Sequence, residues 1–418
     1  MQTEKKQEEK IKVETKVSQI NLKPEEKVLL LFEFLIYNDQ QPPAKRITPM
    51  WPCFVGEASS GKSERAFEIA KSVSKDLGLV IIDQLLPEDI GGIPTPDVKA
   101  RKTIYTIPEW TDYQLVFFDE LDKAKESKLA PILSILTQRM LHNQKLNALF
   151  LLAAQLEEGE FNFLERLQMP SEVWKALQRR IILIPTPIEL AQERELKRWG
   201  IRKFKPVESP ITKMLMEFRL PLYYPSVIGF ICGFTKWLFS RELEKSNSIE
   251  EAKERAKAIS LNIFYYYERV EELLNELLYD TEIQEDELEA FYRRIVNNPQ
   301  NYPLDAVANA LTTIPNRLTA REFYRTFGYL YLRFSVDERK KLFENLYSSL
   351  SEKLELTTND EYENARWFIV CWTVLAKKMQ NSEEITQIYN TVREYFPEEI
   401  EETEEFILGK KGGESNDS

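Results

Sequence analysis

Two textures of apolar and polar residues divide the chain. In the first, dense apolar runs too short for helices stand at MWPCFV (50–55), LVIID (79–83), YQLVFFDE (113–120), ALFLLAA (148–154) and RIILI (180–184). Such runs, separated by helical patterns, predict buried strands of a mainly parallel α/β sheet with helices on both faces. Ahead of them, KPEEKVLLLFEFLIYN carries Val28, Leu29, Leu31, Phe32, Phe34 and Leu35. That density predicts a largely buried helix starting at Pro24 or soon after and broken by DQQPPAKRITP. After the first strand a Gly-rich turn leads into KSERAFEIAKSVSKDLG, which predicts a helix stopped at Gly78.

The second texture follows Pro185. Glycine becomes scarce, and segments such as ISLNIFYYYERVEELLNELLYD and ARWFIVCWTVLAKKM repeat apolar groups at helical spacing. Ile263, Tyr266, Val270 and Leu274 form one stripe, so the aromatic cluster there reads as core; Trp367, Phe368, Trp372 and Leu375 read the same way. No fixed-period repeat is present. The first 22 residues alternate Lys and Glu and predict a solvated arm, and GKKGGESNDS predicts a flexible end.

Composition narrows the classes. A chain of 418 residues calls for several domains, and 43% apolar residues supply a sizeable core. The net charge of −12 argues against a surface that grips nucleic acid broadly, leaving only room for a local basic stripe. Cys53, Cys232 and Cys371 stand far apart with no CxxC partner, so neither a disulfide framework nor a zinc site is indicated, and a reducing cytoplasm fits best. The charged N-terminus lacks the apolar run of a secretion signal, and no stretch has the apolar length of a membrane span. His142 is the single histidine, which removes mechanisms built on histidine pairs; it reads as a solvated residue at a helix end.

The candidate chemistry lies in FVGEASSGKSERAF (54–67). Gly56, Gly61, Lys62 and Ser63 fit G-x-x-x-x-G-K-S, with Glu57, Ala58, Ser59 and Ser60 between them. Glycines let the backbone curl so that N–H groups face phosphates, the Lys ammonium bridges phosphoryl oxygens, and the Ser hydroxyl is a ligand for Mg²⁺. A strand before and a helix after are the context this motif needs. About fifty residues on, LVFFDELD (115–122) runs an apolar strand into Asp119 and Glu120. Carboxylates at the carboxyl end of such a strand suit Mg²⁺ (Asp119) and an attacking water (Glu120).

On these residues the chain resembles the AAA+ ATPases, and within them the MoxR-type branch. The resemblance rests on FVGEASSGKSERAFEIA, LLPEDIGGIPTPD (85–97), VFFDELDKAKESKLAPILSILTQRML and ALQRRIILIPTP, and covers about residues 25–240. GGIP followed by IPEW is the branch-specific part. The resemblance implies an α/β P-loop domain at 23–187, a helical lid at 188–245 and a further helical domain at 246–408, between the arm (1–22) and the tail (409–418). It also implies a ring, often a hexamer, that binds ATP and Mg²⁺ between subunits and uses hydrolysis to remodel a protein client or companion subunit. Gln155 takes the place of the usual sensor asparagine, and Arg180, with Arg179 as the fallback, takes that of the arginine that reaches the neighbouring site. The departure lies in LPLYYPSVIGF (220–230), where Pro225 is followed by Ser226 and Val227, without the lid arginine of the branch.

The stretch DIGGIPTPDVKARKTIYTIPEW falls where the branch inserts a loop facing substrate. Lys99, Arg101 and Lys102 make a small basic cluster there, and Tyr105 and Trp110 are candidates to stack or grip. The expected function is an ATP hydrolase acting at subunit interfaces. The alternative is a nucleotide-gated scaffold that binds ATP and hydrolyses it poorly; a DNA-linked motor is less favoured because the chain is acidic.

Overall fold

The computed structural model describes residues 20–97, 99, 101–142, 144–156, 172–222, 224–279, 283, 285–314, 318–333, 335, 363–379 and 383–408. The expected arm, apart from residues 20–22, and the expected tail lie outside them. The chain divides into two units, Met1–Glu242 with Lys253–Thr281, and Leu243–Ala252 with Glu282–Ser418.

The strands are β1 (Trp51–Gly56), β2 (Leu77–Ile81), β3 (Ile93–Asp97), β4 (Lys102–Thr106), β5 (Leu115–Asp119), β6 (Met140–Leu141), β7 (Gln144–Lys145), β8 (Leu149–Gln155) and β9 (Ile181–Pro185). Five of them form one sheet in the order β2-β5-β8-β1-β9, every pair parallel. These are the five expected strands. β1 is buried along its whole length and β5 and β8 nearly so, which is why they read as continuous apolar runs.

The helices of the first unit are α1 (Pro24–Gln40), α2 (Lys62–Ser72), α3 (Pro87–Gly91), α4 (Glu126–Gln138), α5 (Glu172–Gln178), α6 (Ile188–Arg198), α7 (Pro210–Glu217), α8 (Pro225–Leu243), α9 (Ile249–Phe264) and α10 (Val270–Tyr279). α1 starts at Pro24 as expected and buries Val28, Leu31, Phe32, Phe34 and Leu35. Its Phe34 meets Phe230 and Phe234 of α8 edge-on, with ring centroids 5.3 and 5.5 Å apart. Arg194 of α6 pairs with Glu64 of α2 (2.7 Å), and buried Arg65 of α2 pairs with Glu25 of α1, so ion pairs fix α2 from two sides.

The second unit is helical among its described residues: α11 (Glu285–Asn297), α12 (Leu304–Thr313), α13 (Ala320–Arg333), α14 (Glu363–Met379), α15 (Glu383–Tyr395) and α16 (Pro397–Leu408). Ile369, Val370, Val374, Tyr389, Val392, Phe396 and Ile400 form a core cluster, with Trp372 packed against it. Phe368 is buried as expected and meets Phe327 edge-on at 5.1 Å.

Four expectations are corrected. Gly78 does not stop a helix but lies within β2, where a Cβ would come within 2.8 Å of the Tyr113 ring. α2 ends earlier, at Ser72, and Ser74 supplies the left-handed residue (φ 52°) with Lys75 N–H donating back to Ala70 O. The stripe Ile263, Tyr266, Val270, Leu274 is buried, yet it belongs to two helices, because residues 265–269 leave helical geometry and Arg269 sits at φ 59°. Residues 93–106 form an antiparallel hairpin of β3 and β4 instead of an irregular loop, and Trp110 is buried against Phe118 (5.5 Å) with its indole N–H donated to Asp89 O, so it does not grip a partner. His142 occupies the turn between β6 and β7, not a helix end; its Nε2 is 2.6 Å from Gly91 O and its ring stacks on Tyr105.

Candidate functional site

The sheet order places β8 between β1 and β5, so the carboxyl ends of these three parallel strands share one edge, the edge where ligands bind in open α/β sheets. The segment Glu57–Gly61 spans from the end of β1 to the first turn of α2. Ser59 (φ 63°) and Gly61 (φ 81°) adopt left-handed conformations that curl it. Gly56 cannot be replaced there without cost: a Cβ would lie 2.5 Å from both the carbonyl and the Oγ1 of Thr186. Thr186 follows β9, and its Oγ1 lies 3.2 Å from buried Ser60 Oγ and donates to Val55 O (3.1 Å), clamping the loop to the sheet.

Lys62 and Ser63 open α2. Lys62 Nζ donates to the carbonyls of Gly56 (2.9 Å) and Glu57 (2.7 Å), so the ammonium folds back over the loop. Burial pushes its pKa down, against the opposing pull of Asp119 and Asp122. Ser63 Oγ donates to Asp119 Oδ2 at 2.9 Å, joining the loop to the end of β5. Asp119 Oδ1 accepts the N–H of Glu120 (2.9 Å). Glu120 itself is in the left-handed region (φ 60°), with its carboxylate paired to Lys123 Nζ at 3.0 Å.

Gln155, the last residue of β8, is in register with Gly56. Its N–H donates to Asp122 Oδ1 at 2.7 Å. Burial pushes the Asp122 carboxyl up, opposed by this N–H, by its own and by the charges of Lys123 and Lys62. The structure therefore brings together Gly56, Glu57, Ser60, Lys62, Ser63, Asp119, Glu120 and Gln155, and adds Asp122 and Thr186, which sequence reasoning missed. The fourth position of DELD was a visible signal for Asp122. None existed for Thr186, whose partner Ser60 is 126 residues away.

Arg180 is not at this edge. It immediately precedes β9, and its carbonyl accepts the N–H of Trp51 at the start of β1 (2.7 Å). With Gly56 five residues further along β1, the two edges are separated by about 17 Å at ~3.3 Å per residue. The guanidinium is held by Thr137 Oγ1 on α4 and by Ala176 O on α5, and burial lowers its pKa, helped by the charge of Arg179. Arg179 lies over the ring of Tyr224 (4.8 Å), directly before α8. The arginine-free start of α8 thus neighbours the amino edge of the sheet.

A cavity of about 980 Å³ is lined by Lys27, Pro185, Pro187, Leu190, Leu261 and Asn262, among others. Pro185 and Pro187 flank Thr186, so the cavity wall adjoins the loop's clamp. Lys27 Nζ donates to Asn262 O (2.7 Å), and burial pushes its pKa down to about 8.

No known family model matches the chain. No curated protein matches it either. Among solved structures, a candidate ATPase from Cytophaga hutchinsonii is similar at 14% identity over 64% of this chain and 84% of that one, with a TM-score of 0.30. A likeness of that degree says nothing of this chain's activity. The architecture is mixed α/β, with a five-stranded parallel sheet that carries the Gly-rich loop and the acidic strand end at one edge. No described helix is long and apolar enough to cross a membrane.

Proposed function

We propose that this chain is an ATP-binding AAA+ ATPase of the MoxR type that hydrolyses ATP between subunits of a ring in the cytoplasm and remodels or assembles a protein partner. The observation that carries the reading is the 2.9 Å contact of Ser63 Oγ with Asp119 Oδ2 beneath a loop that already holds Lys62. The donors suit a triphosphate with Mg²⁺: two oxygen ligands, Ser63 Oγ and Asp119 Oδ2, sit side by side, and the Lys62 ammonium is held over the loop by two of its carbonyls. When bound, ATP and Mg²⁺ supply the phosphoryl group to be transferred and the charge that steadies its departure. Lys62 would exchange two carbonyls for phosphate oxygens, and Ser63 with Asp119 would hold the metal. Glu120, released from Lys123, would orient a water and hold the proton it loses on its carboxylate. Gln155, fixed through its N–H by Asp122, is set beside Gly56 to sense the outermost phosphate. The cavity next to Thr186 has the size for a nucleoside.

Arg180 supports a shared site. It stands at the opposite edge from its own loop, so it would serve the loop of a neighbouring copy. Hydrolysis per subunit should therefore rise with protein concentration, and Glu120→Gln should bind ATP while releasing phosphate about 10²–10⁴-fold more slowly. Turnover that ignores concentration, or that survives Glu120→Gln, would contradict the reading.

Two features favour the alternative of a nucleotide-gated scaffold: the carboxylate of Glu120 is engaged by Lys123, and the sequence LPLYYPSVIGF lacks the lid arginine of the branch it resembles. Assembly with ATP but phosphate release no faster than Lys62→Ala protein would select it.

A further inference from the structure

We propose that the connector between α6 and α7 is a binding site for single-stranded nucleic acid, independent of the phosphate loop. Residues 197–205, KRWGIRKFK, carry five cations in nine positions of a chain whose net charge is −12, and every one of the nine is exposed. Trp199 is 74% exposed and Phe204 59%. These two exposed rings are interleaved with Lys197, Arg198, Arg202, Lys203 and Lys205. Arg198 shares Glu195 at 3.6 Å; among the described residues the other four cations have no ion-pair partner.

The segment is held at both ends. α6 closes with Gly200 in the left-handed region (φ 69°), Gly200 N–H donating to Lys197 O and Ile201 N–H to Leu196 O. At the far end Val207 exchanges hydrogen bonds with the side chain of Gln192, and Glu189 accepts from Ser209 N–H and Thr212 Oγ1. The aromatic faces are therefore displayed on an anchored loop. Cations that neutralise phosphates, alternating with rings on which bases stack, are the two components of sequence-tolerant single-strand binding.

An anionic membrane would meet the same charges, but insertion at a lipid interface relies on an amphipathic helix that satisfies its own backbone groups. Residues 199–209 are irregular. An irregular, exposed segment of this kind favours a hydrated, polyanionic partner that stacks.

The test is fluorescence anisotropy of the full chain with a labelled oligothymidylate. Wild-type protein should bind, with a log–log salt slope of about −3 for four free cations, or about 50-fold weaker binding from 50 to 200 mM salt. Trp199→Ala/Phe204→Ala should bind at least about tenfold more weakly, and Trp199→Phe/Phe204→Tyr, which keeps the rings, should stay near wild type. Arg202→Glu/Lys203→Glu should flatten the slope. Lys62→Ala should bind as wild type, so this site and the nucleotide reading fail separately. Equal affinity of all variants, wild-type capture of phosphatidylserine vesicles without oligonucleotide binding, or loss of self-association in Trp199→Ala at unchanged oligonucleotide affinity would each overturn the proposal.

Discussion

The two edges of the central sheet contrast. At the carboxyl edge, Lys62, Ser63, Asp119, Asp122 and Gln155 are locked to one another or to the loop within a single chain. At the amino edge Arg180 is held by Thr137 and Ala176, with no phosphate loop near it. At one edge the contacts join the loop to two strand ends; at the other they join a strand start to two helices. In the proposed reading, the first edge binds nucleotide and two edges from different copies make one hydrolytic centre.

The largest effect should come from Arg180→Ala, which leaves ATP affinity unchanged while lowering kcat by about 10³–10⁵ in a steady-state phosphate assay. An unchanged rate would leave Arg180 as a structural clasp between α4, α5 and β9. Glu120→Gln should cost about 10²–10⁴ in kcat with ATP still bound, measured by equilibrium filtration. Gly56→Ala separates binding from chemistry: the added methyl collides with Thr186, so calorimetry should show ATP affinity lost and stability lowered by about 1–3 kcal/mol.

The smallest effect concerns Lys27 in the adjoining cavity. The unfolded chain keeps this proton to its ordinary 10.5, the folded chain only to about 8. The unfolded state thus binds more protons between these values, and stability from this group rises as pH climbs from 8 to 10.5. Below pH 8 the cost of the buried charge is fully present. Lys27→Met should therefore be more stable than wild type at pH 7 by about 1–2 kcal/mol, and the advantage should fade towards pH 10 in thermal melts. A pH-independent difference would mean that packing, not charge, governs the site.

How legible each edge was follows from the range of its contacts. β1, β5, β8 and β9 are legible because burial on both faces writes an uninterrupted apolar run, and the loop because its chemistry is contiguous; β2, with Leu79 exposed, is legible only over its last residues. The β3–β4 hairpin has no strand signature in the sequence, because Pro94 and Pro96 argue against a strand. They alternate with the residues that carry the ladder, so their missing donors fall together on one side of a two-stranded ribbon. The break at 265–269 was hidden because Tyr266 keeps helical phase while its hydroxyl accepts Leu183 N–H from β9 (2.9 Å). Thr186 was invisible for the same reason: a clamp across 126 residues leaves no local pattern. The segment KRWGIRKFK has no helical or strand periodicity to mark it, and its exposure is a property of the fold.

The most direct measurement mixes two inactive proteins. Lys62→Ala lacks a working loop but keeps Arg180, and Arg180→Ala keeps the loop but lacks the cation. If one centre is made from the edges of two copies, neither alone releases phosphate, whereas a mixture regains a fraction of wild-type turnover that peaks near equal proportions. A mixture as inactive as its components, with both still assembling in ATP, would contradict the shared site.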